Sequence, residues 1–266
     1  MSDAERLVVS HMRDGVLYVT INRAEKRNAL SRATLAALRE TFAHAARDEA
    51  LHAVVLSGAG DRSFAAGGDL REFDTLRSEA DAIALFDHAA ATLDAIRATP
   101  VPVIAALNGS ALGGGAELAM ACDYRVAAPH AAIGFIQATL AITTGFSGAA
   151  DLFALLGASR AMRVLAAAQA MEPREAQALG LIDEVCGDTQ PLDALVASFV
   201  APFTARPPHV LRAIKQLANA HRRVAWQAMR DAERDAFAAT WIAPEHWARA
   251  QQFLERRRAP AHGAST

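Results

Sequence analysis

Two glycine-rich segments and one glutamate have the residue types and spacing of a site that stabilises an oxyanion. Gly67-Gly68 and Gly113-Gly114-Gly115 each come soon after a short apolar run. Glycine lets a backbone approach a ligand with no Cβ in the way, and the N–H groups at a helix start have no intrahelical partner. The second segment leads directly into a predicted helix holding Glu117, so Gly114 would present its N–H at the positive end of that helix. Two such donors converging on one carbonyl oxygen make an oxyanion hole. Glu117 follows Gly114 by three residues, one turn on and on the same face. A carboxylate there reaches the carbons next to a carbonyl held by Gly114. The same pattern also has structural uses: triple glycine permits close helix packing, and a first-turn glutamate complements the helix dipole. Spacing alone leaves both readings open.

The elements that would position these residues alternate. Leu7-Val8-Val9-Ser10 and Val16-Leu17-Tyr18-Val19-Thr20-Ile21 are β-branched runs about a turn at Arg13-Asp14-Gly15, which predicts an antiparallel hairpin. Residues 22–30 form a polar loop, and Ser31 caps a helix with apolar positions at Leu35, Leu38 and Phe42. A strand at 53–56 precedes the first glycine segment, and a helix over 80–98 stops before Pro100. The pattern repeats with a strand at 103–107, a turn at Asn108-Gly109 and a helix over 116–122; strands near 124–127 and 132–135 follow. Such alternation indicates an α/β architecture with much parallel pairing. Beyond residue 147 the reading is nearly all helix, with a short apolar break at 181–185. The last helices carry a stripe at Trp226, Met229, Glu233, Phe237 and Trp241, then Phe253, which suits either core or a subunit interface. The chain divides at about residue 200, into a core of 1–200 and a helical part of 201–266.

Composition excludes several classes. Of the 266 residues, 27 are Lys or Arg and 29 Asp or Glu, a net charge of −2 that leaves no basic stripe for nucleic acid. Hydrophobic residues make up 52% but aromatics only 6%, so the core is built from small aliphatic side chains that let helices pack closely. No run approaches the ~18 consecutive apolar residues of a membrane span. The start, Met1-Ser2-Asp3-Ala4-Glu5-Arg6, has neither an apolar signal core nor an acid-poor transit composition, so a cytoplasmic, unprocessed chain is expected. Cys122 and Cys186 lack CxxC spacing and read as reduced, buried thiols. Dinucleotide and P-loop phosphate motifs are absent, Gly145-Phe146-Ser147-Gly148 is not a GxSxG elbow, and none of the nine His has a metal-binding spacing. No metal and no cofactor is expected.

The stretch Ile104-Ala105-Ala106-Leu107-Asn108-Gly109-Ser110-Ala111-Leu112-Gly113-Gly114-Gly115-Ala116-Glu117-Leu118-Ala119-Met120-Ala121-Cys122-Asp123-Tyr124 resembles the signature of the enoyl-CoA hydratase/isomerase (crotonase) superfamily. Asn22-Arg23 with Arg27-Asn28-Ala29-Leu30, then Phe64-Ala65-Ala66-Gly67-Gly68-Asp69-Leu70, and Phe253-Leu254-Glu255-Arg256-Arg257 add to the likeness, which spans about residues 7–260. The resemblance implies a ClpP-like spiral of repeated ββα units, a helical C-terminal region that builds homotrimers or dimers of trimers, and acyl-CoA substrates, the CoA being part of the substrate. It implies oxyanion-hole N–H groups at Gly68 and Gly114 and a catalytic Glu117. It also implies CoA and substrate contacts from Lys26 or Arg27 (phosphates), Ala65, Ala66 and Gly67 (adenine), and from Asp69, Leu70, Gly113 and Gln137. Trp241 and the basic run Arg256, Arg257 and Arg258 match positions that touch the CoA of a neighbouring subunit; such a run is also the ordinary composition of a solvated helix end.

The chain departs from the hydratase pattern at one position above all. Hydratases of this family carry a second catalytic glutamate, and the gapless alignment puts Gln137 there. Glutamine is the same size but cannot ionise or deliver a proton. Hydration would then run on Glu117 alone. Decarboxylation of a malonyl-type thioester needs only the oxyanion hole and one proton donor, and the stretches Gly134-Phe135-Ile136-Gln137 and Gly145-Phe146-Ser147-Gly148 are similar to the ethylmalonyl-CoA decarboxylase branch. The family's range also includes double-bond isomerases and non-catalytic binding proteins on the same fold. Asp151 stands where the family often has Arg and reads as a surface or helix-start acid; Thr143 and Thr144 replace the usual Ile-Pro and bring hydroxyls towards the acyl pocket.

Overall fold

In the computed structural model, which describes residues 6–187 and 189–256, the first β-branched runs pair as an antiparallel hairpin of β1 (Val8–Arg13) and β2 (Val16–Ile21). Asp14 and Gly15 both take positive φ, the turn geometry that matches strand twist. In α1 (Arg32–Ala45), the Ser31 side chain accepts the Thr34 N–H at 3.1 Å, and Leu35, Leu38 and Phe42 are fully buried. Residues 1–5, on which the expectation of an unprocessed start rests, lie outside the described residues.

Three consecutive stretches then follow one plan. β3 (Ala53–Gly58) runs into β4 (Ser63–Ala65), followed by α2 (Leu70–Phe73) and α3 (Glu79–Ala98); β5 (Val103–Leu107) runs into β6 (Ser110–Leu112), followed by α4 (Gly114–Ala121). β7 (Tyr124–Ala127) runs into β8 (Ile133–Gly134), followed by α5 (Ala149–Leu156) and α6 (Ala158–Ala167). The chain ends with β9 (Ala170–Met171), α7 (Pro173–Leu179), β10 (Glu184–Val185), α8 (Leu192–Thr204), α9 (Pro208–Trp241) and α10 (Pro244–Arg256). The first strand of each pair joins a six-stranded sheet of order β1-β2-β3-β5-β7-β10, parallel beyond the hairpin. The second joins a four-stranded sheet of order β4-β6-β8-β9, in which only β9 is antiparallel.

This arrangement brings the two glycine segments together. β4 and β6 are parallel neighbours with Ala65 opposite Ala111, so the chain leaving each strand passes through Gly67-Gly68 and Gly113-Gly114 side by side. Gly115 serves packing: a methyl group there would lie 2.0 Å from the Ala65 carbonyl oxygen, so α4 rests directly on β4. Alanines at 105, 111, 116, 119 and 121 are fully buried in the same core.

The C-terminal half differs from its sequence reading in three ways. The apolar break contributes β10, the sixth strand of the large sheet, because Glu184 and Val185 pair with Val126 and Ala127. A short strand, β9, has no alternating pattern to announce it, since it is two residues long. The division expected at residue 200 falls inside α8, whose Leu195, Val196 and Val200 are buried against the large sheet with Val55, Ile104 and Val126. Phe237, Ala238 and Trp241 of α9 belong to the main core, so that helix packs over the site. Cys122 and Cys186 are free and buried. Among the described residues no helix is long and apolar enough to cross a membrane.

Candidate active site

Gly113, with φ of 55° and ψ of −122°, turns the chain from β6 into α4. Its N–H donates to the Gly134 carbonyl at 2.8 Å, and its carbonyl accepts from Ala116 and Glu117. Gly114 is the first helical residue, so its N–H has no intrahelical acceptor. Leu30 bridges the other segment in parallel fashion: its N–H donates to the Gly67 carbonyl and its carbonyl accepts the Asp69 N–H. That pairing turns the N–H of the intervening Gly68 to the opposite side. A methyl at Gly67 would sit 3.5 Å from the Gly114 nitrogen, which measures how closely the two segments abut. The Phe146 ring covers both, at 2.6 Å from a methyl built on Gly114 and 3.5 Å from one on Gly68.

Glu117 is 1% exposed, in the first turn of α4. Its Oε1 accepts from Gln137 Nε2 at 2.7 Å and from the Gly145 N–H at 3.2 Å; its Oε2 accepts from the N–H groups of Phe146 at 2.8 Å and Gly148 at 2.9 Å. Burial pushes its pKa above the ordinary glutamate value, while these hydrogen bonds pull the other way. A methyl on Gly148 would come within 2.5 Å of the Glu117 Cβ, so only glycine admits the approach. Gln137 acts here as a donor to Glu117; its own Oε1 is buried with no partner.

The loop that cradles Glu117 is itself held by a buried cation. Arg97 of α3 donates to the Ser147 carbonyl at 2.7 Å, to Asp151 Oδ2 at 2.6 and 2.9 Å, and to Asp94 at 2.9 Å. Asp151 is thus no surface acid: it is 8% exposed and paired with Arg97 across the fold. Arg230 of α9 also binds Asp94 at 2.6 Å, and both guanidinium carbons lie 5.1 Å from the Trp226 ring centre. Ser147 takes φ 67° with its hydroxyl buried and unpartnered, a conformation that costs an L-residue roughly 1–2 kcal/mol. Ser147→Gly is expected to raise stability by about 1 kcal/mol, read as a higher urea midpoint at unchanged slope; an unchanged or lower midpoint would contradict the strain.

A second carboxyl approaches the loop from α9. Glu233 is 6% exposed, its Oε1 accepts the Ala149 N–H at 3.2 Å, and its Oε2 has no partner. Burial and the neighbouring Glu117 push its pKa up to about 8. Sequence reasoning placed Glu233 on an apolar stripe without a role and passed over Arg97; a glutamate between Met229 and Phe237 on a buried face was the available signal.

The residues expected to meet CoA are scattered more unevenly. Lys26 and Arg27 are exposed at the end of a 3-10 turn over Ala24–Lys26, and the Arg27 carbonyl accepts the Ala66 N–H at 3.1 Å, which ties this loop to the glycine segment. Arg27 also lines a cavity of about 150 Å³ with Asn28, Gly60 and Arg62. Ala65 is buried against α4, and Leu70 opens α2, half-buried. Asp69 is engaged by Arg23 at 3.0 Å. Trp241 is a correction: it is 2% exposed, its Nε1 donates to the Leu76 carbonyl at 2.8 Å, and it packs on Phe237, His246 and Trp247. Its indole is consumed by the chain's own core and has no surface for a neighbour's CoA. Arg256 is exposed at the end of α10, whereas Arg257 and Arg258 lie outside the described residues. Beside Gln137 opens a mainly apolar cavity of about 390 Å³, whose walls include Phe135, Ile142, Thr144, Phe153 and Leu165.

Comparison with known proteins places this geometry among relatives. The family model described as enoyl-CoA hydratase/isomerase matches residues 11–263. The chain is similar to a crotonyl-CoA hydratase of Syntrophomonas wolfei, 34% identical over 92% of this chain and 92% of that protein. It is similar to an ethylmalonyl-CoA decarboxylase of Gallus gallus, 27% identical over 89% of this chain and 80% of that protein. A solved enoyl-CoA hydratase of Mycobacterium smegmatis has the same fold, with a TM-score of 0.78 at 29% identity over 97% of this chain and 100% of that one.

Proposed function

The chain belongs to the enoyl-CoA hydratase/isomerase family, and from that premise we propose that it converts a 2-enoyl-CoA to a 3-hydroxyacyl-CoA by way of an enolate. The observation that carries this reading is the Glu117 carboxylate, buried and held by four donors in the first turn of the helix that Gly114 opens. In the proposed reaction the Gly68 and Gly114 N–H groups receive the thioester oxygen. Glu117 takes a proton from water as the oxygen of that water bonds to C3, and the C2=C3 electron pair moves onto the thioester oxygen. The enolate then collapses, and C2 takes the proton from Glu117, which returns to its carboxylate. Both elements of water pass through one carboxyl group, because Gln137 cannot ionise. Lys26 and Arg27 would meet the CoA phosphates and the backbone at residues 64–67 the adenine. The apolar cavity beside Gln137 would take the acyl chain, a size within the usual range for small-molecule sites. The reading needs no cofactor beyond the CoA carried by the substrate.

Gln137 favours one further reading. Loss of CO2 from a malonyl-type thioester leaves its electron pair as the enolate without any base, and a single proton donor finishes the reaction at C2. The relative named as an ethylmalonyl-CoA decarboxylase supports it. Purified protein assayed with crotonyl-CoA, methylmalonyl-CoA and ethylmalonyl-CoA decides between them. Turnover of crotonyl-CoA well above that of the malonyl-type esters is expected; the reverse order selects decarboxylation, and no turnover of any thioester rejects both. Assembly as a homotrimer or a pair of trimers belongs to the same proposal, supported by Ile214 and Leu217, which are exposed on α9; sedimentation of the purified chain tests it. A cytoplasmic location belongs to the same proposal.

A further inference from the structure

Glu117 and Glu233 reach one loop from two different helices, and the hydrogen bonds they receive are unequal. Three of the four partners of Glu117 are backbone N–H groups, which can only donate and so suit a carboxylate, and the fourth is the Gln137 amide, which donates its Nε2–H. Glu233 receives one donor, the Ala149 N–H, and keeps Oε2 buried and unpartnered. Ala149 directly follows Gly148, so the loop turns the N–H groups of 145, 146 and 148 to Glu117 and that of 149 to Glu233. Two neighbouring buried carboxyls do not both ionise readily, and the better-donated one keeps the charge.

From this juxtaposition we infer that Glu233 is the proton-holding partner of Glu117, a positioning residue that stays neutral while Glu117 carries the single negative charge of the pair. The charged groups facing Glu233 fit that role. Glu117 on α4 opposes its ionisation, and Arg97 on α3, the nearby cation, is already committed to Asp151, Asp94 and the Ser147 carbonyl. On α9 itself, Arg230 and Arg234 are taken by Asp94 and Asp87. Thr144 lies beside Glu233, and its hydroxyl, like Arg97, favours the ionised form, whereas burial and the Glu117 charge favour the neutral form and prevail. The second carboxyl that position 137 lacks is thus supplied to the same loop from the C-terminal helix. When Glu117 gains a proton in turnover, Glu233 keeps its own, so the pair passes from one negative charge to none and returns to one when Glu117 gives its proton up.

The inference deepens the role proposed for Glu117, and its test needs no turnover, so a chain inactive on every thioester still answers it. The protein is labelled with carbon-13 at the glutamate side-chain carboxyls and titrated by NMR. One resonance is expected to titrate near pH 8, to be absent from Glu233→Gln, and to move to lower pH by about a unit or more in Glu117→Gln, where the opposing charge is gone. If Glu233→Gln fails to fold, the shift between wild type and Glu117→Gln decides alone. A wild type with every carboxyl titrating below about pH 6, or a midpoint unmoved by Glu117→Gln, overturns the inference.

Discussion

Glu117→Gln is expected to lower kcat on the best thioester substrate by about 10²–10⁴-fold, the usual cost of removing one positioned acid–base group. KM should change little, because the substitution leaves the Gly68 and Gly114 N–H groups and the apolar cavity in place. The side chain keeps its size but not its acceptors. Where Glu117 accepts from Gln137, Gly145, Phe146 and Gly148, the amide of a glutamine turns an NH2 towards some of those donors. A fall in thermal stability therefore accompanies the loss of rate, and circular dichroism with a melting curve separates the two effects. Activity equal to wild type in a folded Glu117→Gln protein would remove Glu117 from the mechanism. Steady-state rates on the preferred ester, at a pH where the wild type is fully active, make the comparison.

Arg97→Met carries the largest expected cost to stability, about 3–5 kcal/mol, the range for breaking a buried ion pair by deleting one partner. The physical reason is the charge left behind. Asp151, with a side chain 6% exposed, loses its counterion, and the Ser147 carbonyl loses a 2.7 Å donor. The same residues shape the loop whose N–H groups hold Glu117, so activity should fall as well. Replacing both members, as Arg97→Met with Asp151→Leu, should recover most of the stability, since two apolar groups need no counterion. Urea unfolding of the single and double variants against wild type measures this; a single-variant loss under about 1 kcal/mol, the scale of an exposed pair, would show that the pair is not buried in solution.

Much of the fold was legible because its signals are local. The hairpin follows from β-branched runs about Asp14-Gly15, and α1 from Ser31 and the spacing of Leu35, Leu38 and Phe42. The glycine segments and Glu117 were legible for the same reason: a strand, a turn and a helix start lie within a dozen residues. Of the two-residue strands, β8 was read from the run at 132–135, but β9 and β10 were not, because they show no period and exist only through their partners in the sheets. Trp241 was misplaced because a stripe on a helix states which face is apolar but not what covers it; the covering groups are His246 and Trp247 of the next helix and Leu76 from far upstream.

The sequence alone carried the likeness to the family, put two glycine segments and Glu117 forward as candidates, and placed a glutamine at position 137. What surrounds the Glu117 carboxyl is a product of the folded chain. The loop donors come from 28 to 31 residues away, Arg97 meets Asp151 across 54, and Ala149 meets Glu233 across 84. No periodicity records such pairings. A buried charge must find its donors and counterions wherever the fold brings them, and the desolvation that sets its proton affinity depends on how completely water is excluded.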